Sequence, residues 1–211
     1  MTDIEIMSES NGMLLPDCEI VHHATLYGLN DSIRASRFPM AVDIEDCGFF
    51  ATDKTHKLAR AEIGSGHDNF LNGVIVQFDL TLPVKVWTEA ERYHFFDFVS
   101  SQSTMHRITR FDLDKAYCKY VDERIIEIMK SLVKDYNESQ TAENYLRVLY
   151  SNPCGFKLTA RMTTNYRQLK TIWRQRHNHK LPEWRIFCAW IESLPYGKEW
   201  LAWHGTETDT A

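Results

Sequence analysis

The sequence predicts an α+β (α/β) fold in which long helices pack against an antiparallel sheet. Between residues 74 and 82, apolar side chains recur at every second position, which is typical of a half-buried antiparallel strand. Between residues 122 and 137 they recur at helical spacing on a wide apolar face. A chain of 211 residues with 44% hydrophobic composition can bury one substantial core. We therefore expect a single domain over residues 1–211.

The other segments also follow one of these two periodicities, and the two polar ends, 1–16 and 205–211, are expected to be loosely ordered. Asp31 and Asp53 are expected to cap the first two helices, and Pro182 to begin the last one. Strands are expected at 18–26, 74–82 and 156–161. Helices are expected at 31–37, 53–64, 86–96, 122–137, 142–150, 164–176 and 183–193.

The composition excludes several classes of protein. A net charge of -5 argues against a binder of polymeric nucleic acid or anionic membranes, because those surfaces are held mainly by excess Lys and Arg. Five widely spaced cysteines without a Cys-x-x-Cys pair indicate reduced thiols rather than disulfides. The N-terminus lacks the features of a signal peptide, and no apolar run reaches membrane-spanning length. We expect a cytoplasmic protein.

One segment carries a local excess of positive charge. Residues 157–185 contain eight Lys or Arg and one acidic residue, Glu183, although the whole chain is acidic. Guanidinium groups suit phosphate or carboxylate, and the Thr-Thr-Asn sequence at 163–165 adds neutral donors where a helix is expected to begin. The segment Ala160 to Arg176 is therefore predicted to bind an anion, most simply a nucleotide. The alternative is a solvated basic helix face that pairs with acidic neighbours.

Other polar clusters are less specific. His177 and His179 have no further ligands at metal-binding spacing, so no metal site is predicted. Gln102, His106, Arg107 and Arg110 also fit the polar end of a helix. Phosphate-binding loops of the Walker and Rossmann types and nucleophile elbows are absent from the sequence, which leaves nucleophilic catalysis by the protein without support.

Taken in chain order, several motifs resemble those of the flavin-dependent thymidylate synthases. The segment 32–37 (SIRASR) resembles that family's early Arg-Ala-x-Arg helix. The turn at 66–68 (GHD), the strand at 74–82 and Pro83 resemble its Gly-His-Glu turn, strand and proline. The segment 165–176 is similar to its Asn-x-Arg-x-Leu sequence and the later Arg. The resemblance spans most of the chain and implies the thymidylate synthase-complementing-protein-like fold.

The resemblance also implies roles for individual residues. The family methylates dUMP with FAD, NADPH and methylenetetrahydrofolate and uses no enzyme nucleophile; positioned cations polarise the uracil ring instead. The cofactor-binding residues implied for FAD are His67, His106, Arg107, Asn165 and Arg167. The substrate-binding residues implied for the nucleotide are Gln102, Arg110, Arg147 and Arg176. By the same resemblance, Arg176 and Arg107 are the catalytic residues.

The family's hallmark Arg-His-Arg motif is altered in this chain. In one register, residues 102–108 (QSTMHRI) match it with Met105 in place of the first Arg and about a dozen additional residues after Pro83. In the other register, which needs no insertion, Arg92, Tyr93 and His94 occupy the motif. Neither register restores the motif or the Ser-x-Arg loop that follows it. Loss of an Arg would remove charge stabilisation while leaving the fold and a pocket intact.

Three functions are compatible with this sequence. The first is an FAD-dependent methyltransferase acting on dUMP, in a homotetramer whose subunits share the sites, as the resemblance implies. The second is a non-catalytic protein of the same fold that sequesters a nucleotide or cyclic dinucleotide signal, for example one encoded by a phage and present in an infected bacterial cytosol. The third is a structural protein whose basic helix meets an acidic partner. The sequence favours the methyltransferase slightly.

Overall fold

The structure, a computed structural model, describes residues 12–203. Five strands form one sheet in the order β1-β2-β3-β5-β4, and helices follow or precede most of them. The strands are β1 Met13–Leu14, β2 Val21–Tyr27, β3 Ile75–Pro83, β4 Phe96–Ser101 and β5 Lys157–Asn165. The helices are α1 Leu29–Ala35, α2 Asp53–Arg60, α3 Val84–Ala90, α4 Thr104–Arg107, α5 Glu123–Glu138, α6 Ala142–Ser151, α7 Tyr166–Arg176 and α8 Pro182–Ser193. These elements confirm the predicted α+β class.

The described chain forms two compact units. Unit 1 comprises residues 12–78 and 163–203, and unit 2 comprises residues 79–162. Strands β3 and β5 each run from one unit into the other. The alternation predicted along β3 is confirmed, because Val76, Phe78, Leu80 and Leu82 are all buried while the residues between them are partly exposed.

Unit 1 is organised around an aromatic core. The ring of Phe78 on β3 lies 5.7 Å from Phe187 and 5.1 Å from Trp190, both on α8. The Trp190 indole N–H donates to the carbonyl of Pro16, at 2.9 Å, and so satisfies its one polar atom. Buried Tyr166 on α7 donates its hydroxyl to the carbonyl of Pro195. Helices α7 and α8 are thereby held together at one side of the unit.

Unit 2 has a separate apolar cluster. Helices α5 and α6 pack against each other, and each begins at a side-chain cap: Asp122 accepts from the Arg124 N–H, and Thr141 accepts from the Asn144 N–H. The buried members of the cluster are Ile108, Leu113, Ala116, Tyr117, Met129, Val148 and Phe156. Burial raises the pKa of Tyr117 to about 12, so its phenol stays protonated and donates to Asn152.

Within unit 2, β3 and β5 run antiparallel. Thr81 contacts Thr159 through their hydroxyl groups at 2.8 Å, and Asp79 accepts from Arg161 at 3.2 Å. The pairs step along the two strands in opposite directions, which defines the antiparallel register. The main chain of Gln102, at the end of β4, donates to the carbonyl of Thr159. Strand β4 is therefore attached to β5 and forms an edge of the sheet.

Several predicted elements need correction. The prediction of one long helix at 86–96 is wrong beyond residue 90. From Phe96 the chain pairs with β5 as strand β4 instead of continuing as a helix. The helix expected to reach Gly64 ends at Arg60, and its N-cap is Thr52 rather than Asp53. Asp31 lies within the first turn of α1, whose N-cap is Gly28 at a φ of 70°.

The predictions for the last helices and the termini have mixed outcomes. Pro182 begins α8, as predicted. Met13 and Leu14 pair with Leu26 and Thr25, so this part of the N-terminal segment expected to be loose is held in the sheet. Residues 1–11 and 204–211 lie outside the described residues. All five cysteines are free thiols, as predicted. None of the helices between residues 12 and 203 is long and apolar enough to cross a membrane.

The aromatic core of unit 1 gives a first testable prediction. Phe78→Ala should lower the free energy of unfolding by about 3–5 kcal/mol, because it removes a fully buried ring from its contacts with Phe187 and Trp190. The measurement is chemical denaturation followed by tryptophan fluorescence. The control is Gln77→Ala at the preceding, partly exposed position, which should change the free energy of unfolding by no more than about 0.5 kcal/mol. Equal effects of the two substitutions would contradict this view of the core.

Candidate functional site

The basic segment begins at the junction of β5 and α7. Asn165 ends β5 and caps α7, with its side-chain oxygen accepting from the backbone N–H of Gln168 at 2.9 Å. This confirms the predicted helix start. The side-chain NH2 of Asn165 has no hydrogen-bond partner among residues 12–203. It remains a donor at the N-terminus of α7 in unit 1.

The first turn of α7 is anchored by a buried carboxylate. Asp68 is fully buried, and its two oxygens accept from Arg167 Nε at 3.1 Å and from Lys170 Nζ at 3.0 Å. The ammonium of Lys170 also donates to the carbonyls of Ala59 and Ala61. Its three N–H groups are therefore all used. We call Asp68, Arg167 and Lys170 the Asp68 cluster.

Lys170 links two helices through this cluster. The carbonyls of Ala59 and Ala61 lie at the C-terminal end of α2, where backbone acceptors have no partner within the helix. A cation at this position also complements the helix dipole. Burial lowers the pKa of Lys170 below its usual value of 10.5, and the bond to Asp68 opposes that shift. The lysine thus serves as a C-terminal cap for α2 supplied by α7.

Arg167 is only partly consumed by the Asp68 cluster. Its side chain is 28% exposed, and Nε alone is hydrogen-bonded among the described residues. Both Nη groups remain donors. Because Asp68 fixes the guanidinium at Nε, the Nη groups are held in one orientation at low entropic cost. Arg167 and Asn165, both of which the family resemblance implies to be FAD-binding residues, present open donors at the start of α7.

Arg176 lies at the opposite end of α7. Its guanidinium lies over the Trp184 ring, 5.0 Å from the centroid, and contacts the His179 ring nitrogen at 3.0 Å. Beneath it, burial raises the pKa of the Cys188 thiol to about 12, with nearby Glu192 contributing and Arg176 opposing. Cys188 therefore stays a neutral thiol.

His67 lies in the turn before Asp68. Gly66 has a φ of 81°, a conformation that glycine adopts readily, and the His67 N–H donates to Ser65. The imidazole is exposed and has no partner within the described ranges. Four of the predicted site residues lie in unit 1, namely His67, Asn165, Arg167 and Arg176.

Unit 2 contains a cavity of about 280 Å3 in which three predicted residues meet. It is lined by Gln102, Ser103, Arg107, Arg110 and Phe111. Both arginines are exposed, and neither has a partner between residues 12 and 203. The cavity thus combines two open guanidinium groups with an aromatic wall, a combination suited to an anion attached to a planar ring.

Gln102 is fixed at the rim of this cavity. Its side-chain oxygen accepts from the Thr159 N–H at 2.9 Å, while its own N–H donates to the Thr159 carbonyl. The side-chain NH2 has no partner in the described chain. Gln102 therefore offers a donor whose direction is set by the strand pairing rather than by a flexible side chain.

His106 and Arg147 do not line the cavity. Both are exposed and lack partners within residues 12–203. They nevertheless belong to neighbouring elements, because the Tyr145 hydroxyl on α6 donates to the carbonyl of Met105 on α4 at 2.7 Å. The Met105 side chain, which occupies the position of the first motif Arg in one of the two registers, is 59% exposed.

Sequence reasoning missed the central part of this arrangement. Lys170 is one of the eight basic residues at 157–185, whose charges suggest an exposed position, but it is 1% exposed. Its position next to Leu169 and before Ile172, both buried on α7, is the available signal for burial. Asp68 was interpreted only as a turn residue. Among the described residues, no group of three or more His, Cys, Asp or Glu side chains could hold a metal ion.

Comparison with solved structures identifies the fold. A flavin-dependent thymidylate synthase ThyX from Helicobacter pylori, complexed with FAD and dUMP, has a TM-score of 0.60 and 18% identity over 86% of this chain and 96% of its own. A second structure of ThyX from Helicobacter pylori with FAD and dUMP gives a TM-score of 0.62 and 19% identity over 86% and 95%. The chain has the ThyX fold.

A third structure extends the comparison. The UMP/dUMP methylase PolB from Streptomyces cacaoi, bound with 5-Br dUMP, has a TM-score of 0.62 and 16% identity over 85% of this chain and 94% of its own. No family model and no curated protein matches the sequence. The three solved structures confirm the ThyX-like fold that the motifs predicted.

The Asp68 cluster gives a second prediction. Lys170→Met should lower the free energy of unfolding by about 3–5 kcal/mol, because it leaves a buried carboxylate with one partner and two helix-end carbonyls with none. Denaturant unfolding measures it. The control is Lys180→Met, at an exposed position whose side chain has no partner in the described chain. A loss no larger than the control's would show that the cluster contributes little.

The lowered pKa of Lys170 gives a third prediction. At pH values between the lowered pKa and 10.5, Lys170 keeps its proton in unfolded chains and has lost it in folded chains. The contribution of Lys170 to the free energy of unfolding therefore rises with pH. The unfolding free energy of the wild type, relative to Lys170→Met, should therefore increase as pH approaches 10.5. Groups titrating equally in both proteins cancel in this difference. A difference that stays flat or falls with pH would contradict the assignment.

Proposed function

We propose that this protein binds a pyrimidine nucleotide and methylates dUMP, using FAD, NADPH and methylenetetrahydrofolate. The observation that carries the proposal is the unit 2 cavity, where the open guanidinium groups of Arg107 and Arg110 adjoin the fixed amide of Gln102. The ThyX fold supports it further, because the solved relatives with that fold hold dUMP or 5-Br dUMP.

The cavity residues divide naturally between the parts of a nucleotide. Arg110 offers planar N–H pairs that match phosphate oxygens, and Arg107 in the same cavity is left for the ring of the base and the flavin. The Gln102 NH2 group can donate to a carbonyl of the base, and Phe111 provides an apolar wall beside it. Gln102 and Arg110 are the proposed substrate-binding residues within the cavity. Arg147 and Arg176, which do not line it, are proposed as substrate-binding residues by resemblance to the family alone.

The residues proposed to hold FAD fit a flavin in their donor chemistry. Asn165 keeps a free NH2 group, Arg167 keeps both Nη groups, and His67 is exposed. His106 and Arg107 add two exposed groups in unit 2. When bound, FAD would supply the redox chemistry that no side chain of this protein can provide.

Arg176 and Arg107 are the proposed catalytic residues. A guanidinium next to a uracil carbonyl stabilises negative charge that develops on the ring during reaction. Arg176 is held in place by the Trp184 ring and by His179, so its charge is oriented before a ligand arrives. By resemblance to the family, we also propose a homotetramer in the cytoplasm.

The nucleotide site gives a fourth prediction. Arg107→Met and Arg110→Met should each weaken dUMP binding about tenfold, because each removes one charged hydrogen-bonding group. Isothermal titration calorimetry measures the affinity. The matched control is Arg124→Met, also exposed in unit 2, whose guanidinium binds Asp122. Unchanged affinity in both cavity variants would exclude this cavity as the nucleotide site.

Turnover is tested separately from binding. Purified protein with FAD, NADPH and methylenetetrahydrofolate should convert dUMP to dTMP, and bound flavin should show its visible absorbance. Absence of both, together with retained dUMP binding, would reject the enzyme but leave the nucleotide site intact.

A second candidate function is a non-catalytic protein that binds or sequesters a nucleotide or a cyclic dinucleotide signal. The observation that favours it is Met105, an exposed apolar side chain that stands at the first Arg of the family motif in the register of residues 102–108. Restoring that charge by Met105→Arg should raise flavin affinity or turnover if the site is otherwise complete. Tight binding of a nucleotide that is recovered unchanged, both before and after this substitution, would favour sequestration.

A further inference from the structure

Unit 1 contains a second cavity, which is larger than the one in unit 2. Its volume is about 550 Å3, and it lies between the segment that follows α1 and helix α2. None of its lining residues was among the predicted site residues. They are Ser36, Arg37, Met40, Ala41, Val42, Asp43, Asp46, Cys47, Thr52, Lys54, Thr55 and Leu58. We call this space the Arg37 cavity.

Two arginines, Arg34 on α1 and Arg37 just after it, bind the segment that forms one wall of the Arg37 cavity. Arg34 donates to the Ile44 carbonyl at 3.1 Å and pairs with Glu45 at 3.2 Å. Its guanidinium also lies 5.4 Å from the centre of the Phe49 ring. Arg37 donates to the carbonyl of Phe50. The wall is therefore fixed by charged groups, although its segment makes few apolar contacts of its own.

Arg37 has an unsatisfied donor at this cavity. Among the described residues, its Nε is the one buried side-chain nitrogen or oxygen without a hydrogen-bond partner. Buried donors are nearly always satisfied in folded proteins, and leaving one unpaired costs about 1–3 kcal/mol. Gly48 allows the chain to approach the guanidinium, because a Cβ there would lie 3.1 Å from Arg37 Nη1. Because Nε is shielded from water-sized groups, the donor of Arg37 that is open to a ligand is Nη1, which has no partner within residues 12–203.

The remaining charged groups of the cavity have both signs. Lys54 on α2 is exposed, and its ammonium has no partner among residues 12–203. Asp46 is exposed and equally without a partner in that range, whereas one oxygen of Asp43 accepts from the Glu45 N–H. The hydroxyl groups are committed: Thr52 and Thr55 form the capping box of α2, and Ser36 donates to Ile33.

We propose that the Arg37 cavity binds a ribonucleoside 5′-phosphate. Lys54 and the open Nη1 group of Arg37 take the phosphate. Asp43 and Asp46 accept from the ribose hydroxyls, the role that carboxylates commonly play in nucleotide sites. Met40 and Val42 provide apolar surface for the base. A simple anion would be disfavoured by the two carboxylates, whereas a nucleotide uses both signs of charge.

The size of the cavity agrees with this ligand class. Small-molecule sites typically span about 300–1,000 Å3 and combine apolar walls with a few polar groups. The Arg37 cavity, at about 550 Å3, falls within that range. The inference does not depend on the methylation of dUMP, because none of the residues lining the Arg37 cavity lines the unit 2 cavity.

Calorimetry with AMP as the ligand tests this site. The wild type should bind AMP, while adenosine, which lacks the phosphate, should bind at least about tenfold more weakly. Arg37→Met and Lys54→Met should each weaken AMP binding about tenfold. Asp43→Asn should weaken AMP binding more than it weakens 2′-deoxy-AMP binding. The matched control is Lys57→Met, an exposed lysine on α2 that does not line the cavity.

Several results would overturn the proposal. They are absence of AMP binding to the wild type, equal binding of adenosine, or AMP binding that survives Lys54→Met. Loss of AMP binding in Arg107→Met instead would assign the nucleotide to unit 2. If Arg37→Met fails to fold by circular dichroism, Lys54→Met and Asp43→Asn still decide the outcome. Parallel titration with dUMP reports on the proposed methyltransferase site, so failure of one site is distinguished from failure of the other.

Discussion

The geometry of α7 depends on one buried carboxylate. Asp68 lies at the end of a glycine-containing turn and is fully removed from water, where a polar group is costly unless it is hydrogen-bonded. Arg167 and Lys170 supply those hydrogen bonds from a single helix face at three-residue spacing. Because Lys170 also holds the end of α2, the turn, the two helices and the orientation of Arg167 form one cooperative arrangement. The stability of unit 1 and the orientation of the Arg167 side chain therefore depend on the same interaction.

The two cavities use charge in different ways. In unit 2, Arg107 and Arg110 are open cations without nearby carboxylate partners, which favours an anionic group and little else. In unit 1, Arg37 and Lys54 are balanced by Asp43 and Asp46, which favours a ligand that carries both an anion and hydroxyl groups. Charge composition, rather than cavity size, separates the two ligand classes.

The sequence predicted those features that depend on local chemistry. The alternation along β3, the start of a helix near Asn165 and the Pro182 helix start each follow from neighbouring residues, and each is present. Two features that escaped prediction depend on partners distant in the chain. Residues 86–96 show helical spacing, yet pairing with β5 makes the chain a strand from Phe96 onward. Lys170 is buried only because Asp68, about a hundred residues away, offers it a carboxylate.

The attachment of Gln102 has a consequence for the dynamics of the sheet. Strand β4 is an edge strand whose side chains beyond Phe96 are exposed, so little apolar burial opposes its local opening. Its last connection to β5 is the two-way bond between Gln102 and Thr159, at the rim of the unit 2 cavity. A ligand held by the Gln102 amide would therefore also slow hydrogen exchange along β4. Binding of such a ligand in the unit 2 cavity and local opening of strand β4 would therefore be thermodynamically linked.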